Sequence, residues 1–279
     1  MRLSPRKRLR SPRQVARRRR MLIFRAGILS LLVVLLLGGL IAGTHVSAIQ
    51  ITDVVVEGNG VTAKSALSAS VSEALEGMYF PYIPKSNVFL YPKDTIQAKV
   101  LAEFPRLESL SFERLDTHTL SVHFKEYNAE ALYCREACYF LNNEGYIFAE
   151  APEFSGTLLV RFTGGSVIGE PVGKQFVSAS EFKKLLQFIA GVAVEGFDIE
   201  TIALLPEGDA KATVKEGTAI LFSRIVSVPV TLENLQAALS SEALVGGLSD
   251  VDYIDLRFGN RVYFKKKTEA DDTASGDVE

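Results

Sequence analysis

The sequence predicts an α+β protein made of an N-terminal transmembrane helix, a small domain of order β-α-α-β-β, and a mostly antiparallel β-domain with two flanking helices. Two observations support this prediction. First, the first 52 residues hold 11 of the 31 Lys and Arg but none of the 33 Asp and Glu. Second, short apolar runs separated by turn residues dominate the second half of the chain. The chain therefore has two charge regimes, which indicates two different environments.

The apolar segment between these regimes predicts a membrane-spanning helix. Residues 26–43 carry no charge and, with their flanks, supply the roughly 20 apolar residues that cross a bilayer. Basic residues before a span are retained in the cytoplasm, which places the N-terminus inside and the bulk of the chain outside. We assign 1–25 to a basic cytoplasmic tail and 26–46 to the helix of a single-pass protein of the cytoplasmic membrane. The topology determinants are Arg17, Arg18, Arg19, Arg20 and Arg25.

Two alternatives remain open for this region. A cleaved signal peptide would use the small residues Val46, Ser47 and Ala48, although the apolar run exceeds the usual roughly 7–15 residues of such a peptide. A nucleic-acid-binding arm would use the Arg-rich tail, but a tail that ends in a membrane span is more simply a topology determinant. We therefore expect a retained anchor in the lipid bilayer and no nucleic-acid partner.

Residues 49–127 predict the small domain. Leu120, Val122 and Phe124 alternate with polar residues, as in a half-buried strand. A three-stranded sheet covered by two helices on one face is the natural packing for this order. The predicted elements are a strand at 49–57, a helix at 62–76, an irregular loop at 78–90, a helix at 94–104, and strands at 107–115 and 119–127.

Residues 128–267 predict the β-domain. Ser178 and Glu181 have the spacing of a capping box, which opens a helix that ends near Val192, and Thr231 is expected to cap a second helix. The acidic segment 268–279 has too few apolar residues to offset the entropy of ordering, so we expect a disordered tail. The predicted strands are 131–134, 138–142, 146–150, 157–162, 199–205, 211–214, 219–222, 251–258 and 261–265.

The two cysteines, Cys134 and Cys138, flank a predicted hairpin tip. A compartment outside the cytoplasm permits a disulfide, whereas two free thiols remain the alternative because such a short bridge needs a favourable geometry. We favour the disulfide. Few further ligands are available, so neither a metal site nor a cofactor is expected.

Catalytic motifs are missing from the sequence. It contains neither a phosphate-binding glycine loop nor a nucleophile elbow. Of the three histidines, His45 lies at the membrane edge, while His118 and His123 belong to one strand and its turn. His123 falls on the polar face, which favours a solvated histidine over a general base. We therefore expect a protein that is not an enzyme.

The order and spacing of these elements resemble the FtsQ/DivIB family of bacterial cell-division proteins. Residues 51–59 are similar to the opening strand of a POTRA domain, and residues 104–114 and 119–126 to its closing pair. Residues 139–148 and 253–258 resemble the β-domain of that family. The cysteines and the aromatic loop at 78–91 are not part of this pattern.

The resemblance implies a non-enzymatic scaffold of the divisome at the septum, which helps couple septum assembly to peptidoglycan synthesis. Its partners would be FtsB/FtsL-type proteins and other septal membrane proteins, bound by strand addition along the last β-strand. The implied partner-binding residues are Asp255, Arg257, Phe258, Arg261, Val262, Tyr263, Phe264 and Lys265.

Other interpretations remain. The last two strands could be a closing hairpin whose lysines discourage edge pairing. The chain could also be a POTRA-containing envelope chaperone or another membrane-anchored binding module outside the cytoplasm. A membrane-tethered enzyme is the third alternative, and loss of an activity on mutation of His118 or His123 would support it.

Overall fold

The computed structural model describes residues 12–79, 82–153, 158–165, 167–244, 248–259 and 261–267. It is a mixed α+β protein with an apolar N-terminal helix and a large, mostly antiparallel sheet. The chain divides into an N-terminal unit, Met1–Ala102 with Leu110–Phe124, and a C-terminal unit, Glu103–Ser109 with Lys125–Glu279. The domain bounds 49–127 and 128–267 stay a prediction, and the acidic tail 268–279 lies outside the described residues.

Helix α1 (Pro12–Thr44) contains, from Arg17 to Thr44, a stretch long and apolar enough to cross a membrane, with a mean hydropathy of 2.5. It is the one such helix in the part of the chain that the structure describes. The helix begins well inside the predicted tail, because proline is tolerated at the first helical position and the Arg, Gln and Ala that follow favour helix. A signal sequence near the N-terminus can pass the same test of length and apolar composition, so that alternative remains open.

The N-terminal unit follows the predicted order of elements. From β1 to β5 the elements are β1 (Asp53–Glu57), α2 (Lys64–Leu75), β2 (Met78–Tyr79), β3 (Ile83–Pro84), α3 (Lys93–Glu103), β4 (Leu107–Arg114) and β5 (Thr119–Glu126). The three-stranded sheet has the order β1-β5-β4, and β1 runs parallel to β5. The loop at 78–90, expected to be irregular, contains the short antiparallel pair of β2 and β3.

The buried face of β5 is the predicted one. Leu120, Val122 and Phe124 are all buried. Ser121, which the alternation places on the polar face, is buried as well. Strand β5 is the middle strand, and its neighbours on both sides cover a side chain as small as serine.

A nine-stranded sheet and two helices form the C-terminal unit. The elements are β6 (Ala131–Cys134), β7 (Cys138–Leu141), β8 (Ile147–Glu150), β9 (Arg161–Gly164), α4 (Ala179–Val194), β10 (Ile199–Leu204), β11 (Asp209–Val214), β12 (Ala219–Ser223), α5 (Val228–Leu239), β13 (Val251–Phe258) and β14 (Arg261–Lys266). The strands of the sheet follow the order β14-β13-β12-β11-β10-β9-β6-β7-β8.

The two helices account for parallel pairs within this sheet. Strands β9 and β10 are parallel neighbours joined through α4, and β12 and β13 are parallel neighbours joined through α5. A parallel pair needs a long crossover connection, which a helix supplies. The apolar side chains of both helices pack on the sheet in one core, which includes Phe182, Phe188, Leu235, Ile202 and Ile254.

The two helix starts differ from each other in how well the sequence predicts them. The Oγ of Ser178 accepts a hydrogen bond from the Glu181 amide (3.3 Å), as expected of a capping residue. The Glu181 carboxylate pairs with Arg224 instead of completing a capping box. The expected cap at Thr231 is wrong, because α5 begins at Val228 with a proline in its first turn, where no amide donor is needed.

Two strand boundaries are also corrected. The first strand begins at Asp53 because Ser47–Ile49 forms a 3₁₀ turn ahead of it. Strand β9 is Arg161–Gly164, later than the predicted 157–162, whose first residue lies outside the described residues.

Candidate functional site

The antiparallel hairpin of β13 and β14 forms one end of the large sheet. Ile254 faces Phe264 across the pair, and Asp255 faces Tyr263. The turn between the strands uses Gly259 at φ +67°, and its carbonyl accepts a hydrogen bond from the Asn234 side chain of α5 (2.6 Å). The hairpin is thus attached to the helix beneath it.

The two ends of the nine-stranded sheet differ in how their edges are covered. At the β8 end, residues 173–176 lie along the strand, with Gly173 N donating to Ile147 O (2.8 Å) and Ile147 N donating to Lys174 O (2.9 Å). At the β14 end, no further strand of the described chain pairs with the outer side. An uncovered edge strand presents main-chain N–H and C=O groups to another chain.

Aromatic side chains surround the β14 edge. Phe258 and Tyr263 are 55% and 49% exposed, and their rings contact edge to face with centroids 5.3 Å apart. Phe264 is exposed too, whereas Val262 packs against the core. Exposed aromatic residues of this kind are common anchors in protein interfaces.

A charged network holds β13 close to the turn of the hairpin. The Arg257 guanidinium donates to both carboxylate oxygens of Asp255, from Nε (2.9 Å) and Nη2 (2.6 Å). Its Nη1 donates to Asp209 Oδ2 of β11 (2.9 Å), so it reaches across β12. The same guanidinium lies 5.6 Å from the centre of the Phe258 ring. The network therefore orients an exposed aromatic side chain.

The protonation of this network follows from its contacts. Burial acts to raise the pKa of Asp255, but the hydrogen bonds and charge of Arg257 outweigh burial and lower that pKa below its ordinary value. Hydrogen bonds to Asp255 and then to Asp209 raise the pKa of Arg257. Both groups are charged at neutral pH.

The implied partner-binding residues all lie on this hairpin, but they do not share one role. Asp255 is buried, so it positions Arg257 and offers no surface of its own. Lys265 forms an ion pair with Asp252 on β13 (3.0 Å). Sequence reasoning missed Asp209, which lies 48 residues before Arg257 and approaches it only because β11, β12 and β13 are neighbours.

The remaining candidate residues lie elsewhere. Cys134 and Cys138 form a disulfide at the tip between β6 and β7. His123 lies between two carboxylates on the neighbouring strands, 3.6 Å from Glu57 and 3.4 Å from Glu113. The described residues contain no group of three or more His, Cys, Asp or Glu that could hold a metal ion.

Comparison with known proteins gave no match, neither to a family model nor to a curated protein. The functional argument therefore rests on the residues themselves and on the geometry of the β14 edge.

Proposed function

We propose that the chain is a membrane-anchored, non-enzymatic scaffold of the bacterial divisome that binds FtsB/FtsL-type membrane partners at the β14 edge. The open edge of β14, next to exposed aromatic residues, is the observation that supports it. The element order of the N-terminal unit and the terminal hairpin agree with what the sequence resemblance implies for a POTRA domain followed by a β-domain.

Strand addition suits this edge physically. Each main-chain hydrogen bond that a partner strand adds contributes about 1 kcal/mol net, so several together give affinity with little sequence selectivity. Selectivity then comes from alternate side chains, here Tyr263 with Phe258 on one face of the hairpin. The Arg257 network holds the Phe258 ring in place for this contact.

The alternative, a closing hairpin, predicts that no partner strand pairs with β14. Lysines on an edge strand disfavour pairing, and β14 ends in Lys265 and Lys266. Lys265, however, pairs with Asp252 of the adjacent strand, which offsets part of its charge. The first half of the strand, from Arg261 to Phe264, is then the part where a partner strand would add.

A binding experiment distinguishes strand addition at β14 from a closing hairpin. We expect Tyr263→Glu to reduce capture of an FtsB/FtsL-type partner by the full chain in detergent, because it places a charge in the aromatic contact. Leu158→Glu is the matched control, since Leu158 is also highly exposed but precedes β9, far from β14 in the sheet order. Equal capture by both variants and the unaltered chain would reject the edge as the binding site.

A cellular experiment tests the divisome assignment itself. A fluorescent fusion of the full chain should concentrate at the septum, and depletion should block septation. Uniform envelope fluorescence together with normal septation after depletion would contradict the proposed function.

A further inference from the structure

Side-chain hydrogen bonds join the end of α1 directly to the rest of the N-terminal unit. The Thr44 carbonyl accepts from Gln50 Nε2 (2.7 Å) and from Asn87 Nδ2 (3.0 Å). Asn87 is buried. His45, the residue that follows the last residue of α1, contacts the Tyr82 carbonyl through its ring Nε2 (2.8 Å). The last carbonyls of a helix have no partner within the helix, so these contacts complete it. The unit is therefore held against the end of the apolar helix.

Exposed apolar side chains are present around this junction. Tyr82 and Phe89 are 61% and 62% exposed. The Phe89 amide donates to Asn87 Oδ1 (3.0 Å), and the same Asn87 side chain donates to the Thr44 carbonyl. Phe89 is thus linked to the end of α1 through Asn87. The Arg114 guanidinium lies 5.4 Å from the centre of the Phe89 ring.

The turn between β4 and β5 lies at the same end of the unit. The His118 carbonyl of this turn accepts from Thr52 N (2.8 Å) and Asp53 N (3.1 Å), at the start of β1. Leu115, also exposed, belongs to the same turn. Two separate segments thus bring apolar side chains to the end where the apolar helix stops.

The position of this end relative to a bilayer follows from helix length. A span that starts after Arg25 reaches the opposite interface after roughly 20 residues, which is near Thr44. Aromatic side chains are enriched at such interfaces, and arginine extends its charged end toward the headgroups while its stem stays among apolar groups. Tyr82, Phe89 and Arg114 are residues of these two kinds.

We propose that the membrane-facing end of the N-terminal unit, defined as Tyr82, Phe89, Arg114 and Leu115, rests in the headgroup region of the bilayer that α1 spans. The partner of this surface is lipid. The inference requires the membrane anchor, but it is independent of the partner site at β14. It implies that the orientation of the unit is set by two contacts with the membrane, the helix and this surface.

Tryptophan fluorescence tests the inference, because the chain contains no native Trp. The full chain is reconstituted into phosphatidylcholine–phosphatidylglycerol vesicles in which part of the lipid is brominated, in separate preparations, high on the acyl chains or near their methyl ends. Separate variants carry Phe89→Trp at the membrane-facing end, Leu36→Trp within α1, and Val61→Trp as the matched control. Val61 is an 80% exposed apolar residue beyond the opposite end of β1.

We expect Phe89→Trp and Leu36→Trp to be blue-shifted and quenched by the brominated lipid, and Val61→Trp to remain red-shifted and unquenched. Quenching at Leu36→Trp without quenching at Phe89→Trp would overturn the membrane-facing surface and leave the anchor intact. Absence of quenching at Leu36→Trp would overturn both. Tyr82→Trp serves as a second reporter should Phe89→Trp fail to fold.

Discussion

Replacement of Arg257 by methionine removes the cation that joins β13 to β11 while it keeps most of the apolar stem. Asp255 then loses hydrogen bonds to both of its carboxylate oxygens, and Asp209 loses one. Asp255 is buried, so its charge keeps only the hydrogen bond from the main-chain amide of residue 257 (3.1 Å) and has little access to water. The variant should therefore be less stable than the unaltered chain at neutral pH.

The size of the effect follows from the burial of the network. Breaking a fully buried ion pair costs about 3–5 kcal/mol. The Arg257 side chain is 31% exposed, so water screens part of the loss. We expect the free energy of unfolding to fall by about 2 kcal/mol, which is roughly a 30-fold change in the ratio of folded to unfolded protein.

The effect should depend on pH in a defined direction. In the unaltered chain the pKa of Asp255 is lowered, so its stabilising contribution is present above the ordinary value of 3.8 and is lost as the pH falls below it. In the Arg257→Met variant, burial outweighs the remaining main-chain hydrogen bond and raises the pKa of Asp255, so protonation removes a charge that has lost its cation. The difference between the two proteins should shrink as the pH falls from neutral into the carboxyl range.

Chemical unfolding of the full chain in detergent micelles measures this difference, with the nine tyrosines as the fluorescence signal. Lys211→Met is the matched control, since Lys211 is exposed on the same strand as Asp209 and its loss should have little effect. An equal loss of stability at neutral and acid pH, or a loss no greater than that of the control, would refute the reasoning.

Two further changes have defined outcomes. Gly164→Ala should lower the free energy of unfolding by about 3 kcal/mol or more, because the φ of Gly164 is +77° and a Cβ would lie 2.4 Å from the Leu204 carbonyl oxygen. The control Gly173→Ala, at φ +86° with open space around it, should cost only about 1–2 kcal/mol. Equal midpoints of unfolding for the two variants would contradict the role of the close contact. Reduction of the Cys134–Cys138 disulfide should lower the free energy of unfolding by only about 2 kcal/mol, because the loop that the bridge closes is short. Denaturation curves with and without reductant measure this difference. An unchanged midpoint of unfolding would show that the bridge does not constrain the unfolded chain.

Local chemistry explains why much of the secondary structure is predictable. Gly259 permits the left-handed turn between the last two strands, and Ser178 caps α4 as expected of its residue type. Such signals act over a few residues, so they can be recognised without knowledge of the fold. Thr231 and the proline-containing turn before it can both begin a helix. The sequence therefore predicts helix α5 correctly, but places its first residue too late.

The candidate site is predictable only in part for the same reason. The terminal hairpin follows from its apolar runs and its turn, but the burial of Asp255 and the exposure of both neighbours Tyr263 and Phe264 do not. Nothing near Arg257 in the sequence indicates Asp209, because that contact depends on the order of three strands. The contacts of Asn87 with Thr44 likewise join residues 43 positions apart.

Composition and short-range periodicity are enough to predict the apolar N-terminal helix, the α+β class and most elements that follow. The folded chain adds which edge of the large sheet is covered, which charges neutralise one another and which exposed apolar side chains meet at the end of α1. These features depend on strand order and on packing between distant segments, and no short stretch of sequence contains both sides of such a contact.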